Sequence, residues 1–290
     1  MRWQNRVKRR GKVMGFKDIL VHVDNFENSP ARLRTAIKLA QNFNARLTGL
    51  YVIFKPKFPA YAQAGISAET LENEAKLAKQ QVKEAEKEFK AATGKNGLQC
   101  EWRVEEGITA EIFSQQARYH DLAVVGQGHP DSYVFAGDRE MPDHMILSCG
   151  RPVLVIPYVG DFETIGKHVI VAWDASPIAA GAVHDSLPFL KAAKSVTVLV
   201  VNPKGGDYET GELPGADISA HLARHGVNVE ADHMQSDLDP GNMLLSRAAD
   251  TGADLIVMGA YGHARWTEIV FGGVTNHFLS HMTVPVLMSH

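Results

Sequence analysis

The sequence predicts an α/β protein built from two doubly wound domains. Each is a five-stranded parallel sheet in the order 3-2-1-4-5 with helices on both faces. Three observations carry this prediction. The chain repeats itself: "KDILVHVD" from Lys17 and "KHVIVAWD" from Lys167 each read as an apolar strand ending in Asp (Asp24, Asp174), then Ser-Pro (Ser29-Pro30, Ser176-Pro177), a helix and a second apolar strand. The ends of the two halves match as well. "DLAVVG" (Asp121–Gly126) parallels "DLIVMG" (Asp254–Gly259), and "RPVLVIP" (Arg151–Pro157) parallels "VPVLMSH" (Val284–His290), at one shared offset of 133 residues with no gap. Finally, these strands are near-continuous runs of Val, Ile and Leu, the pattern of strands buried on both faces and hence of a parallel sheet covered by helices.

Taken in order, residues 1–13 precede the first strand and read either as a basic tail or as an extension upstream of a start at Met14. Residues 14–157 form the first domain. Pro immediately after Ser marks a first helical turn, because its fixed φ suits the helix and its missing N–H is one the helix does not need. The stretch "AETLENEAKLAKQQVKEAEKEFKAATG" (Ala68–Gly94) predicts a long helix with a solvated face, its charges paired at i,i+4 as in Glu72–Lys76 and Glu86–Lys90. "YVGDFETIG" (Tyr158–Gly166) is the linker. The second domain, 167–290, places strands at His168–Asp174, Ser195–Asn202, Asn228–Met234, Leu255–Gly259 and Val284–Ser289. Right-handed crossovers then give a layered α/β sandwich. The last strands, around Val153–Val155 and Pro285–Leu287, lie on apolar sheet edges, so the two domains are expected to pair through them.

Composition narrows the function. A chain of 290 residues that is 45% hydrophobic supports two ordinary cores. No apolar run approaches the roughly 18 residues that span a bilayer, which gives no case for a membrane protein. Cys100 and Cys149 show no metal-type spacing and suit a reducing, cytoplasmic setting. The net charge of −3 gives no case for nucleic-acid binding, although six of the 30 Lys and Arg residues fall within residues 1–13 and leave the rest of the chain acidic.

The stretch "GAYGHARWTEIVFGGVT" (Gly259–Thr275) carries the chemistry. In an open α/β sheet a ligand sits beyond the carboxyl ends of the strands where the winding reverses, here between the first and fourth strands. Glycines let backbone N–H groups approach an anion, and the helix opened by Gly272-Gly273 offers unpaired N–H donors and a positive dipole end. A Walker loop is excluded, because Gly11-Lys12, Gly94-Lys95 and Gly166-Lys167 are not followed by Ser or Thr. A dinucleotide fingerprint would put its glycines after the first strand, and neither half does so.

The spacing Gly259-x2-Gly262-x9-Gly272-Gly273 with Thr275, between "VMG" and "VPVL", resembles the universal stress protein family, and the likeness extends over both halves. The resemblance implies a tandem member with a Rossmann-like fold of the adenine nucleotide alpha hydrolase-like kind. It further implies cytoplasmic location, a role in stress response as a sensor or binding protein, and ATP or a related adenine nucleotide as ligand. Slow ATP hydrolysis at the same loop, with Glu268 and His263 as weak candidate bases, or a nucleotide-free interaction module, are the alternatives; no catalytic residue is assigned. A homodimer also fits the resemblance. Carried over to the second half, Ala172 and Asp174 would contact the nucleoside and Val201 would line the adenine pocket. Met258 and Gly259 would pack on the ribose, and Gly262, Gly272, Gly273, Val274 and Thr275 would hold phosphates. The family pattern has Ser or Thr where Gly273 stands, so one hydroxyl donor is lost. In the first half the matching positions are His129, Arg139, Glu140 and Pro142. They remove glycine, add a like charge and delete a donor. Asp24 there reads mainly as a strand end.

Other constellations are weaker. His221 and His225 in "HLARH" share a helix face at metal-ligand spacing but lack a third ligand, and His129, His144 and Cys149 flank the degenerate loop; no metal is assigned. His263 and Arg265 lie in the nine-residue gap, and Trp173 is placed either to stack on a base or to pack on the next strand.

Overall fold

The computed structural model describes residues 15–55, 67–94, 97–128, 141–202, 214–237, 239–261 and 273–290. The first half runs β1 (Asp18–His22), α1 (Ser29–Phe43), β2 (Arg46–Phe54), α2 (Ala68–Thr93), β3 (Cys100–Gly107), α3 (Thr109–Ala117), β4 (Leu122–Gly126), α4 (Met141–Ser148) and β5 (Val153–Ile156). The second half repeats the plan with β6 (His168–Ala172), α5 (Pro177–Ala192), β7 (Ser195–Val201), α6 (Ala216–Arg224), β8 (Val229–Met234), α7 (Pro240–Thr251), β9 (Leu255–Gly259), α8 (Gly273–His281) and β10 (Val286–Ser289).

The strands form one ten-stranded sheet in the order β3-β2-β1-β4-β5-β10-β9-β6-β7-β8. Within each half the order is 3-2-1-4-5 and the pairing parallel, so the winding reverses between β1 and β4 and again between β6 and β9. At the middle, β5 and β10 run antiparallel, Val155 opposite Val286, Leu154 opposite Leu287 and Val153 opposite Met288. Neither apolar edge faces water, which removes the hazard an open edge carries.

Successive side chains along a strand point to opposite faces of a sheet, so two cores form, and each spans both halves. Ile19, Val21, Val124, Leu154, Val169, Val171, Val257 and Leu287 lie under α1, α2, α5 and α6. Leu20, Ala123, Val125, Val153, Ile170, Ile256, Val286 and Met288 lie under α3, α4, α7 and α8. With both faces covered the strands stay apolar throughout. An edge-to-face aromatic trio reinforces the join. Phe16 stands 5.0 Å from Phe43, and both rings lie 5.3 Å from Phe189 of α5 in the other half. Gly166 closes the connection under this trio with φ +80°, and a Cβ there would come 2.8 Å from the Phe189 ring, so the turn and the space both require glycine.

Strand ends differ from the sequence reading where local chemistry breaks the ladder. β6 stops at Ala172 rather than Asp174: Trp173 N–H still reaches the Leu199 carbonyl, but Asp174 then accepts from Ser176 N–H and Ala175 takes φ +59°. β7 stops one residue short of Asn202, which has φ +50°. β8 starts at Val229 rather than Asn228, whose side-chain amide donates to the Lys194 carbonyl. β10 starts at Val286 rather than Val284, because the intervening Pro285 has no N–H to give and offers only its carbonyl, to Ile256. The long helix α2 is capped by Ser67, whose hydroxyl accepts from Thr70 N–H, and buries only Ala85, Phe89 and Thr93; its Glu86–Lys90 pair is formed at 2.6 Å.

Candidate functional site

The site expected in the second half lies at the carboxyl ends of β9, β6 and β7, three neighbouring strands. Ala172 ends β6 opposite Leu199, Val201 ends β7, and both are half-buried. Met258 is buried in β9, and Gly259 ends that strand. A Cβ on Gly259 would come 2.8 Å from the Ala179 nitrogen, so the first turn of α5 rests directly on this glycine. Asp174 is exposed above the strand ends. α8 begins at Gly273 and Val274, and Thr275 in its first turn is buried, with its Oγ 3.5 Å from the Tyr261 nitrogen. Gly262 and Gly272 fall outside the described residues, as do His263, Arg265, Glu268 and the first-half positions His129, Arg139 and Glu140. Trp173 packs against the core under α5.

The same place in the first half is built differently. α1 and α5 start with the same Ser-Pro step, which sets Arg32 where the second half has Ala179. In α5, Ser176 is the N-cap and its hydroxyl accepts from Ala179 N–H. In α1, Ser29 is already helical, and its hydroxyl takes the Asp24 N–H and one Arg32 N–H. Arg32 is 3% exposed. Its Nε donates to the His22 carbonyl at 2.7 Å, and its Nη2 donates to Asp24 Oδ2 at 2.6 Å. A Cβ on Gly126 would meet the Arg32 Nη1 at 2.4 Å, so the guanidinium lies across the end of β4. His22, where the second half has Ala172, adds its ring, with Nδ1 3.3 Å from Asp24. Asp24 is therefore more than a strand end: it anchors a buried Arg32–Asp24–His22 cluster that fills the crevice between β1 and β4. Pro142 is buried in the first turn of α4, where the second half has Thr275.

The electrostatics follow from burial and pairing. Burial alone would raise the Asp24 pKa, but Arg32, His22 and the Phe26 N–H outweigh it and hold the carboxyl below its ordinary value. Burial is the main cause that brings His22 down to about 4, with Asp24 opposing and Arg32 adding to the shift, so the ring is neutral near pH 7. Burial, and then Asp24, raises the Tyr51 pKa.

Reasoning from the sequence missed Arg32 and His22. A signal was present, since Arg32 sits on the stripe that continues as Ala36, Leu39 and Ala40, all buried, and a charge on such a stripe needs a partner. It also missed Tyr261 and Asp143, whose hydroxyl and carboxylate meet across the two halves. Among the described residues no three His, Cys, Asp or Glu side chains converge as a metal would require. His221 and His225 stand as a pair, rings 4.7 Å apart. No helix among the described residues is long and apolar enough to cross a membrane.

A family model described as "Universal stress protein family" matches the chain twice, over residues 15–133 and 166–290. The chain belongs to the universal stress protein family. The second segment covers the second half of the sheet, and the first covers β1 to β4 of the first half. Among solved structures, a universal stress protein from Archaeoglobus fulgidus DSM 4304 is similar over 94% of this chain and 95% of its own, at 16% identity and a TM-score of 0.72. A functionally unknown protein from Pseudomonas aeruginosa PAO1 covers 96% of this chain and 93% of its own, at 14% identity and a TM-score of 0.55. A universal stress protein in complex with cAMP aligns with 50% of this chain and 99% of its own, at 20% identity and a TM-score of 0.34. At these identities the first two likenesses show the fold alone. The search of curated proteins gives no match. As a universal stress protein, the chain is notable for the difference between its two crevices.

Proposed function

We propose that this universal stress protein binds one adenine nucleotide, ATP or a close relative, in its second half, and acts in stress response as a nucleotide-linked sensor rather than a robust enzyme. In this reading residues 14–157 and 167–290 are its two domains, joined by 158–166. One observation carries the choice of half. The Asp24 carboxylate is held by Arg32 at 2.6 Å with its side chain 14% exposed, whereas Asp174 is exposed and Ala179 stands at the position that Arg32 takes in the first half. A nucleoside entering the first crevice would have to displace a buried ion pair. In the second it meets an exposed carboxylate that accepts from the Ser176 N–H, with small residues at Ala172 and Ala179.

The roles proposed are those the family resemblance implies. Asp174 and Ala172 contact the nucleoside, Val201 lines the adenine pocket, and Met258 and Gly259 lie under the ribose. Gly262, Gly272, Gly273, Val274 and Thr275 hold the phosphates where the α8 N-terminus supplies unpaired N–H donors. Titration calorimetry of the full chain with ATP tests this directly. The expected stoichiometry is one per chain. Gly262→Val should abolish the heat by blocking backbone approach, while His129→Val should leave it intact. Two equivalent sites, or binding that survives Gly262→Val, would overturn the assignment.

A further inference from the structure

The halves touch reciprocally at their loop bases. From the first half, Gln127, next after β4, donates its side-chain amide to the Leu279 carbonyl of α8 at 2.7 Å and accepts from Tyr158 N–H at 3.1 Å. From the second half, Tyr261, two residues beyond β9, donates its hydroxyl to Asp143 of α4. Tyr261 is the residue before Gly262, at the start of the proposed phosphate loop. Its φ is +62°, a region that residues other than glycine rarely occupy and keep only when their surroundings fix them. The fixing groups are visible. Ala260 is fully buried, its N–H donates to the Ser289 carbonyl at 3.0 Å, and its own carbonyl lies 3.0 Å from His290 Nδ1. The Tyr261 N–H lies 3.5 Å from Thr275 Oγ, its ring packs against the core under α8, and its hydroxyl is held from the other half by Asp143. Burial first, and then the Asp143 carboxylate, raises the phenol pKa, so the hydroxyl keeps its proton and remains a donor.

We infer that Asp143 is a positioning residue for nucleotide binding: it reaches across from the first half and holds Tyr261, whose backbone N–H lies 3.5 Å from the Oγ of Thr275, a proposed phosphate ligand in the first turn of α8. The inference rests on the assignment of the nucleotide to the second half. It gives the ligand-free half a part in binding that does not require it to touch the ligand.

The test is ATP titration of the full chain in four forms: wild type, Asp143→Ala, Asp143→Asn and Tyr261→Phe, with the double variant Asp143→Ala/Tyr261→Phe closing a thermodynamic cycle. Asp143→Ala and Tyr261→Phe should each weaken affinity about tenfold, a typical coupling between distinct sites. Asn keeps a carbonyl oxygen that accepts the tyrosine hydroxyl, so Asp143→Asn should stay within about threefold of wild type. The double variant should be no weaker than Asp143→Ala alone, because that variant already removes the contact with the Tyr261 hydroxyl. A purely structural role for Asp143 would lower stability without this rescue and non-additivity. Wild-type affinity in Asp143→Ala, or full additivity in the cycle, overturns the inference and leaves the nucleotide assignment standing. No ATP binding by the wild type overturns both.

Discussion

Replacing Arg32 by Ala is the sharpest test of the filled crevice. The guanidinium is buried and donates to three acceptors: Asp24 at 2.6 Å, the His22 carbonyl at 2.7 Å and Ser29 at 3.2 Å. Removing it leaves the Asp24 carboxylate, with its side chain 14% exposed, facing a neutral His22. Breaking a buried pair on one side typically costs about 3–5 kcal/mol, mostly as the penalty of the charge left behind. At that size the folding equilibrium shifts by roughly a hundred- to a thousandfold or more. Urea denaturation at pH 7 measures it without adding salt that would screen the pair. A second variant separates charge from packing. Arg32→Met with Asp24→Leu removes both charges while keeping bulk, and should recover most of the loss. The pH dependence has a definite sign too. The folded Asp24 pKa is depressed, so its contribution is complete above the ordinary carboxylate range and disappears as pH falls through the folded value. The gap between wild type and Arg32→Ala should therefore narrow in acid. An Arg32→Ala protein within about 1 kcal/mol of wild type at pH 7, or a Met/Leu pair no better than Arg32→Ala, would show that the cluster is not the buried ion pair described here.

Two further outcomes are expected. His22 has a folded pKa of about 4 against an ordinary 6.5, so its neutral form is favoured by folding: stability is complete above about pH 6.5 and falls toward pH 4, by about 3 kcal/mol in total. His22→Asn should flatten that stretch of the urea-midpoint profile, and an unchanged profile would count against burial as the cause. Leu287 is fully buried opposite Leu154 at the join of the two halves, so Leu287→Asp should cost about 3–5 kcal/mol through an unpaired buried charge. Hydrogen exchange of the paired β5 and β10 amides reads this out, since their protection should fall before that of β1 or β6.

Much of this architecture was legible in the sequence because it depends on patterns that physics makes periodic. Continuous apolar runs required strands covered on both faces, the Ser-Pro steps placed two helix starts, and two apolar edges called for a partner. Strand ends were read less well, since they depend on single hydrogen bonds such as Asp174 to Ser176 N–H and on the missing N–H of Pro285. The interior of the first-half crevice was not read. Arg32 and Asp24 stand eight residues apart in sequence, and only the approach of α1 to the end of β4 brings the guanidinium over Gly126. Nor could the Tyr261–Asp143 contact be foreseen, because it joins residues 118 apart through the antiparallel seam.

That seam explains why one chain can carry two unequal halves. Both cores run through the join, so neither half is a separate unit that must justify its own crevice by binding something. In the first half the exposed carboxylate and small residues that the second half has at these strand ends are replaced by an ion pair that holds α1 to β1. Burying Arg32 and Asp24 is not in itself a strong source of stability, since each ion gives up its water. What it secures is closure: a polar crevice left empty would have exposed Asp24 and the end of β4 to solvent. Because the loop bases touch reciprocally, closing one crevice also leaves α4 packed and fixed beside Tyr261. The filled crevice and the Tyr261–Asp143 contact thus lie on the same half, one at the end of β4 and the other on α4.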